Sequence, residues 1–288
     1  MPKKNKPKKV VLVTAADNNF FSLLQGLVQS IRLKHQGNKV TIGCFDIGLN
    51  EKHLAWLREH VDKIIKPEWN IDVPEPEQKK STTLALTVRP FLRDYFPGND
   101  IYLWIDADVW VQRWYGIEFY IKSLSQADVA VTPHIHRAYV HSRDIWGWRY
   151  QRFVQCFGVE SAKYCLRHPY VNAGVLAVKS YSEVWDKWGK AMQYGANKNG
   201  MICDQSSLNY VLWTNKINLA LLPARCNWQC HLALPVWNGE KKIFCEPCYP
   251  HLPIGLLHLT GQAKFDEHEI KTIAGGTTRR DLNFKKNH

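Results

Sequence analysis

Long apolar runs are missing from this sequence of 288 residues. No stretch approaches the roughly 18 consecutive apolar residues of a membrane-spanning helix, which argues against an integral membrane protein of the helical class. The longest early apolar run, residues 10–16, follows five lysines. It lies at the lower limit of length for a secretory signal and has the length of a buried strand. We therefore expect a soluble, cytoplasmic protein that is not secreted.

Linkers and internal repeats are also missing. No segment is rich in Gly, Ser or Pro, which argues against a chain of separate domains or a solenoid. Apolar residues make up 45% of the sequence and aromatic residues 12%, enough to fill a large core. This composition excludes the disordered and fibrous classes. One α/β domain over residues 10–268 is the simplest organisation.

The net charge of +12 is concentrated at the two ends of the chain. Five lysines lie in residues 1–9, and four basic residues lie in the last ten. We expect basic tails over 1–9 and 269–288, either in peripheral contact with an anionic membrane or without a partner. The body between them is nearly neutral, so we expect no nucleic-acid partner.

Strand-like and helix-like segments alternate from residue 10 onward. A continuous apolar run at 10–15 predicts the first strand, and apolar residues with helical spacing over 20–33 predict a helix. Further strands are predicted at 40–45 and 61–65, with a second helix over 51–59 between them. A helix over 81–95, interrupted near Pro90, precedes another strand at 101–105. This alternation predicts a mostly parallel sheet flanked by helices on both faces, a Rossmann-like α/β class.

The second half of the chain is less regular. Strands are predicted at 129–132, 171–178, 217–222 and 254–259. A helix over 204–213 begins at Asp204, which we expect to cap it. Residues 134–150 are rich in His, Arg, Trp and Tyr but have no clear period, and we expect a long surface loop there. Its Trp146, Trp148 and Tyr150 would stack on sugar faces, rest on a membrane or cover the core.

A pair of carboxylates, Asp106 and Asp108, follows the entirely apolar strand at 101–105. In extended chain, side chains two residues apart point the same way, so these two would lie together at the carboxyl end of a parallel strand. Open α/β sheets bind their ligands at that edge. The pair predicts a site for a hard divalent cation that also binds phosphate oxygens. A turn with two solvated aspartates is the alternative.

Two further polar segments follow predicted strands. Residues 15–20, Ala-Ala-Asp-Asn-Asn-Phe, come directly after the first strand, where a base and a ribose could be bound. His258, Gly261 and Lys264 follow the last strand. An imidazole can be a third metal ligand, glycine lets the backbone approach a phosphate, and lysine supplies a positive charge.

These segments, in this order, resemble glycosyltransferase family 8. That family comprises retaining enzymes of GT-A fold and includes bacterial lipopolysaccharide galactosyl- and glucosyltransferases and glycogenin. The resemblance spans roughly residues 10–265 as a series of short segments. The matching positions are 15–20, Arg89, Asp106, Asp108, 170–176, Asp204, Gln205, 222–228 and 258–264.

The resemblance implies a GT-A fold and a UDP-sugar donor. It assigns Asp106, Asp108 and His258 to a Mn²⁺ ion, and Mg²⁺ is also compatible with this set of ligands. Contacts to uracil and ribose are implied for Asp17 and Asn19. The other donor-binding positions that it implies are Ala16, Phe20, Arg89, Ala107, Asn172, Gly174, Gly261 and Lys264.

The resemblance also implies that Asp204 and Gln205 line the sugar as catalytic residues. Gln205 would lie near the anomeric carbon, and an amide is a poor nucleophile. We therefore expect transfer with retention by front-face substitution, in which a leaving phosphate oxygen takes the proton of a glycan or glycolipid hydroxyl. Glucose and galactose are the favoured sugars. Ser206 stands where the family usually has a second aspartate, which leaves recognition of the donor-sugar hydroxyls open.

The cysteines present a second metal question. The spacing of Cys226, Cys230, Cys245 and Cys248 approaches that of a structural zinc site. We favour unpaired thiols, because the first spacing is irregular and Cys226 lies within a segment that matches the family.

Three other functions fit parts of the sequence. A nucleotidyltransferase of similar fold usually has a basic, glycine-rich loop after the first strand, but residues 16–20 contain no glycine. A nucleic-acid-binding module would use the basic tails and would bind with strong salt dependence. A non-catalytic protein that binds sugar nucleotides is the third.

Overall fold

The computed structural model describes residues 8–284, and the rest of the two predicted basic tails lies outside this range. The strands are β1 Val10–Ala16, β2 Thr41–Asp46, β3 Lys63–Ile65, β4 Ile101–Ile105, β5 Val109–Val111, β6 Val129–Pro133, β7 Val171–Lys179, β8 Leu219–Leu221, β9 Trp228–Gln229, β10 Val236–Asn238, β11 Ile243–Cys245, β12 Leu256–His258, β13 Glu267–Lys271 and β14 Thr277–Asp281. The α-helices are α1 Phe21–Arg32, α2 Glu51–His60, α3 Glu75–Gln78, α4 Ser81–Thr87, α5 Leu92–Tyr95, α6 Tyr115–Ser123, α7 Arg143–Phe157, α8 Val159–Cys165, α9 Val184–Asn199 and α10 Asp204–Thr214.

The central sheet has seven strands in the order β3-β2-β1-β4-β7-β6-β8. Strand β1 is parallel to β2 and β4, β2 is parallel to β3, and β6 is parallel to β8. Only β7 runs against its neighbours, β4 and β6. The sheet is therefore mostly parallel, which confirms the predicted α/β class.

Strand β4 contributes side chains to the apolar clusters on both faces of the central sheet. All five of its residues are buried, and they alternate between the two faces of the sheet. Tyr102 and Trp104 belong to the apolar cluster shared with helices α9 and α10. Leu103 and Ile105 belong to the cluster shared with α1 and α6. Helices therefore cover both faces, and the carboxyl end of β4 opens at the edge between them.

A small second sheet, in the order β5-β12-β9, lies next to this edge. Its central strand β12 is antiparallel to β5, where His258 lies opposite Val109, and parallel to β9, where His258 lies opposite Gln229. This register brings the end of β12 beside the chain that leaves β4. The second sheet thus positions residues far apart in sequence around one edge of the central sheet.

The prediction of a loop over 134–150 is confirmed for 134–142, which contain no helix or strand, and was wrong from Arg143 onward, where helix α7 begins. Ser142 caps the helix by accepting a hydrogen bond from the Ile145 N–H at 3.3 Å. The buried residues Arg149, Phe153 and Cys156 have helical spacing. The first of them is charged, so an apolar period could not be read from the sequence.

The described part of the C-terminal segment differs from the expected tail. Strands β13 and β14 form an antiparallel hairpin that turns at Gly275 and Gly276, both with positive φ. Ile270, Leu282 and Phe284 are buried in one apolar cluster. Burial of these three apolar side chains holds the segment against the rest of the protein, although the segment is basic. Among residues 8–284, no helix combines the length and the hydropathy that crossing a membrane requires.

Candidate functional site

Three side chains from distant parts of the sequence converge at the carboxyl end of β4. Asp106 and Asp108 lie between β4 and β5, and His258 is the last residue of β12. The Nε2 atom of His258 lies 3.2 Å from Asp108 Oδ1 and 3.9 Å from Asp106 Oδ2. One ligand atom from each residue lies within 4.8 Å of the others, close enough for all three to contact one metal ion.

A tight turn, rather than extended chain, brings the two aspartates together. The N–H of Val109 donates to the carbonyl of Asp106 at 3.0 Å, so the chain reverses between β4 and β5. The carbonyl of Asp108 accepts from the N–H of Leu259 at 2.9 Å, which ties this turn to the chain beyond His258. The expected juxtaposition is present, but the strand alternation that we used to predict it is not its cause.

Each aspartate has one oxygen held by a donor. Oδ1 of Asp106 accepts from Arg89 Nη2 at 2.6 Å and from Trp104 Nε1 at 2.7 Å. Oδ2 of Asp108 accepts from Lys264 Nζ at 2.6 Å. The second oxygen of each carboxylate faces the imidazole of His258. The remaining ligands are therefore two carboxylate oxygens and one nitrogen.

Three side-chain amides form a line that leads to His258. The first, Gln205, accepts through Oε1 from the N–H of Ala173 at 3.1 Å and from Asn172 Nδ2 at 3.0 Å. Asn172 in turn accepts through Oδ1 from the N–H of Gly174 and from Asn227 Nδ2, both at 2.9 Å. Because a backbone N–H can only donate, these contacts fix which end of each amide is oxygen.

The last amide fixes the tautomer of His258. Asn227 uses its nitrogen toward Asn172, so its Oδ1 faces His258 Nδ1 at 2.9 Å. The proton of the neutral ring therefore lies on Nδ1, and the lone pair of Nε2 points at the two aspartates. A hydrogen bond of this kind behind a ligating histidine is typical of metal sites.

Charge at the site also fits a cation. Burial raises the pKa of the Asp106 carboxyl, and the charge of Asp108 adds to this rise although Arg89 opposes it. Burial acts in the same sense on Asp108, but the His258 ring in its protonated form and Lys264 outweigh it and hold the pKa of Asp108 well below its usual value. A divalent ion between the carboxylates would offset their repulsion, and two oxygens with one imidazole suit Mn²⁺ or Mg²⁺.

Gly174 leaves the space for this arrangement. A Cβ atom there would lie 2.5 Å from Asp106 Oδ2, 2.5 Å from His258 Cε1 and 2.8 Å from Asn172 Oδ1. All three neighbours are held by the hydrogen bonds described above. Glycine at this position is therefore required by the close approach of β7 to the three ligands.

The substitution Gly174→Ala is expected to weaken Mn²⁺ binding at least 10-fold, because the new methyl group displaces Asp106 and His258. Titration of Mn²⁺, followed by the electron paramagnetic resonance of the free ion, measures this loss. Gly147→Ala is the matched control, since a Cβ at Gly147 has no neighbour within 4 Å. Wild-type affinity in the Gly174 variant would contradict the arrangement.

Arg89 joins the cluster of Asp106, Asp108 and His258 to Asp204. Its buried guanidinium pairs with Asp106 and with Asp204 and lies over the Trp104 ring at 4.9 Å. Burial alone would lower the pKa of Arg89, but the two carboxylates raise it above its usual value. Helix α10 begins at Asp204 as predicted, but the carboxylate of Asp204 contacts Arg89 and does not cap the helix.

Asp17 lies in the wall of a cleft of about 150 Å³ beside the aspartates. Its Oδ1 accepts from the N–H groups of Asn19 and Phe20, and its Oδ2 accepts from Ser81 Oγ at 2.7 Å. The carboxylate thus orders the turn after β1, which sequence reasoning did not foresee. The residues of the predicted donor set that line this cleft are Ala16, Asp17, Phe20, Arg89, Asp106 and Ala107.

The other predicted donor residues lie in neighbouring positions. Asn19 and Lys264 line an adjacent cavity of about 180 Å³ that also contains Asp108. Lys264 Nζ lies 5.0 Å from the centre of the Phe20 ring. Gly261 begins a 3₁₀ turn with φ +64° that ends at Lys264. Asn19 and Lys264 therefore share a cavity with Asp108.

A larger cavity of about 390 Å³ lies on the other side of the amide line. Asn172 and Gln205 form one wall, and α7 contributes Trp148 and Arg149. Sequence reasoning gave Trp148 three alternative roles but assigned none to Arg149, although the composition of 134–150 marked this segment as unusual. The further lining residues are His134, Asp144, Ile145, Gln229, His231 and Thr260.

The four cysteines that suggested zinc do not form a metal site. Throughout the described chain, the only group of three or more His, Cys, Asp or Glu side chains with ligand spacing is the cluster of Asp106, Asp108 and His258. Cys226, Cys230 and Cys245 are buried, and all are free thiols. Burial raises the pKa of Cys226 to about 12, so it packs as a neutral side chain.

Comparisons with known proteins give the fold but no close relative. No family model and no curated protein matches the sequence. Galactosyltransferase LgtC, in complex with donor and acceptor sugar analogues, has TM-score 0.57 and 16% identity over 88% of both chains. An active-site mutant of LgtC has TM-score 0.56 and 18% identity over 87% of both chains. The bifunctional glycosyltransferase WbbM, without ligands, has TM-score 0.54 and 16% identity over 89% of this chain and 46% of its own.

The chain therefore has the GT-A glycosyltransferase fold, as the sequence predicted. At these identities the likeness extends to the fold alone. Membership of glycosyltransferase family 8 stays a prediction.

Proposed function

We propose that this protein is a metal-dependent, retaining glycosyltransferase that moves a hexose, glucose or galactose, from a UDP-sugar to a hydroxyl of a glycan or glycolipid. The observation that carries this proposal is the convergence of Asp106, Asp108 and His258 at the carboxyl end of β4. Such a cluster suits a cation that is also bound to a diphosphate. The fold gives separate support, since the similar LgtC structure was determined with donor and acceptor sugar analogues.

Asp106, Asp108 and His258 would hold Mn²⁺, for which Mg²⁺ could substitute. When bound, the ion would act as a Lewis acid and neutralise negative charge on the diphosphate. Lys264, which contacts Asp108, is placed to turn toward that charge. Arg89 orients Asp106 through its ion pair and opposes the rise that burial causes in the pKa of Asp106. The donor itself would occupy the cleft that contains Ala16 and Phe20.

Gln205 and its neighbours support retention by a front-face route. The Gln205 amide is neutral and hydrogen-bonded to Asn172, and the Asp204 carboxylate is paired with Arg89. Neither is a free nucleophile for a covalent intermediate. In the proposed step the bond from the anomeric carbon to the phosphate oxygen breaks. The acceptor oxygen bonds to the same face, and its hydroxyl proton passes to the departing phosphate oxygen.

Thermal denaturation with a panel of nucleotides tests the donor. UDP-glucose or UDP-galactose with Mn²⁺, at about 100 times its dissociation constant, is expected to stabilise the fold by about 2.7 kcal/mol. The same sugars after chelation of metal should give much smaller shifts, and GDP- and ADP-sugars are the controls. No shift with any UDP compound in saturating Mn²⁺ would contradict the proposal. Cytoplasmic location and peripheral contact with an anionic membrane stay predictions.

A further inference from the structure

The 390 Å³ cavity beyond the amide line contains a buried positive charge. Arg149 is 2% exposed. Its guanidinium lies 4.5 Å from the centre of the Tyr170 ring and 5.1 Å from that of Trp146. Within residues 8–284 it forms no ion pair with a carboxylate, and Asp144, on the same cavity wall, is exposed. The aromatic rings hold the guanidinium in place but do not cancel its charge.

His134 adds a hydrogen-bond donor that has no partner. Arg149 Nη2 donates to His134 Nδ1 at 2.6 Å. Burial lowers the pKa of His134 well below its ordinary value, and Arg149 adds to this effect, so the ring is neutral. Because Nδ1 accepts, the ring proton lies on Nε2, which is buried without a partner among the described residues.

Gln229, like His134, lines the cavity with a side chain in which a buried polar atom has no hydrogen-bond partner among the described residues. It is fully buried, and within the described chain neither atom of its side-chain amide has a hydrogen-bond partner. A buried polar group without a partner destabilises the fold unless a ligand or water satisfies it. Arg149, His134 and Gln229 come from α7, from the chain after β6 and from β9. All three side chains line the same cavity. We take this convergence of separate elements as evidence of a binding site.

We propose that this cavity binds the acceptor through an anionic group, a phosphate or a carboxylate, held by Arg149 and the His134 Nε2–H. This inference rests on the proposed function, because it places sugar transfer beside Gln205 and Asn172, which form one wall of the cavity. The volume lies within the range of small-molecule sites, about 300–1,000 Å³. The anionic group itself does not react, since only the acceptor hydroxyl gives up its proton to the leaving phosphate.

We expect the cavity to prefer an anionic acceptor, because a neutral one would leave the charge of Arg149 unpaired. An anionic group accepts hydrogen bonds from Arg149 and His134 together, and such charge-assisted bonds are the stronger kind. A neutral sugar of the same size would leave the buried guanidinium without a counter-charge. Sites built this way reject the analogue that lacks the recognised group by large factors.

Three acceptor probes test the inference: methyl α-D-glucopyranoside, its 6-phosphate and methyl α-D-glucopyranosiduronic acid. Calorimetric titration into wild-type protein with Mn²⁺ and UDP is expected to show at least 10-fold tighter binding of one anionic probe than of the neutral one. The phosphate and uronate arms distinguish the two sources of charge. Equal affinity for all three probes would overturn the inference. Stabilisation by UDP-sugars, measured separately, would still stand, so the two proposals can fail independently.

Variants assign the preference to the cavity. Arg149→Met is expected to remove the anionic preference while UDP still stabilises the protein, and Arg149→Lys should keep part of it. Arg143→Met, an exposed change on the same helix, is the control that should leave the preference unchanged. Should Arg149→Met not fold, the exposed variant Asp144→Asn replaces it. Removing that negative charge should tighten the anionic probes about 2–5-fold and leave the neutral probe unaffected, and an unchanged ratio would overturn the inference.

Discussion

Replacing Asp108 by asparagine is expected to lower kcat/KM for sugar transfer about 10³-fold, roughly 4 kcal/mol of transition-state stabilisation. The amide keeps the size of the side chain but removes the negative charge that faces His258 and Lys264. The site then loses one of its three metal ligands, and Lys264 loses the carboxylate that holds it beside the site. Initial rates with radiolabelled UDP-sugar at saturating Mn²⁺ measure the effect.

A surface aspartate provides the control for this variant. Asp94→Asn, on the exposed side of α5, removes the same charge far from the metal ligands. We expect its kcat/KM to stay within 2-fold of the wild-type value, an order-of-magnitude bound for an exposed charge. Turnover of Asp108→Asn within about 3-fold of wild type would mean that the carboxylate pair has no part in transfer.

The largest expected effect on stability is that of Arg89→Met. This change leaves the partly buried carboxylate of Asp106 and the buried carboxylate of Asp204 without the cation that they share. Breaking a buried ion pair on one side typically lowers the free energy of unfolding by about 3–5 kcal/mol. Urea denaturation at neutral pH, in the presence of a chelator, measures this difference without a contribution from metal binding.

The pH dependence of Arg89→Met has a defined sign. Burial raises the pKa of Asp106 in the folded protein, and the loss of Arg89 removes the main charge that opposes this rise above the unfolded value of about 4. A carboxyl with a raised folded pKa costs stability once the pH exceeds its unfolded pKa. The deficit should therefore be larger at pH 8 than at pH 5. A deficit that grows as the pH falls would contradict this reasoning.

Arg93→Met is the matched control, because Arg93 pairs with Asp186 at a partly exposed position. Surface ion pairs contribute about 0–1 kcal/mol, so this variant should lose little stability. The double change Arg89→Met with Asp204→Asn should recover part of the loss, since it removes one uncompensated charge. Equal stabilities of the Arg89 and Arg93 variants would argue against Arg89 as the centre of the network.

The elements of the fold could largely be predicted because their signals are local. The five apolar residues of β4 predict a strand buried on both faces, and the structure has it there. Helix α7 escaped prediction for an equally local reason, since its first buried position is Arg149 and interrupts the apolar pattern. The hairpin over β13 and β14 was hidden by its many charged residues, although Ile270 packs in the core.

From the residues alone, only the chemically distinctive members of the candidate site could be identified, and the family resemblance added Arg89, Asn172, Gly174, Asp204 and Gln205. Asp106 and Asp108 could be identified by spacing, and His258 by its place after a strand. The contact between Arg89 and Asp204 joins residues 115 positions apart and depends on how α10 packs against the sheet. The amide that orients His258, Asn227, likewise depends on the register of β12 beside β9. Such contacts depend on tertiary packing and cannot be predicted from a local sequence pattern.

The central claim is that one divalent ion binds between Asp106, Asp108 and the Nε2 atom of His258. Crystals grown with Mn²⁺ and UDP, with diffraction recorded at the manganese absorption edge, test it directly. The account predicts an anomalous difference peak in contact with all three side chains and with the UDP diphosphate. An empty site at saturating Mn²⁺ and UDP, or an ion bound elsewhere with His258 turned away, would contradict it.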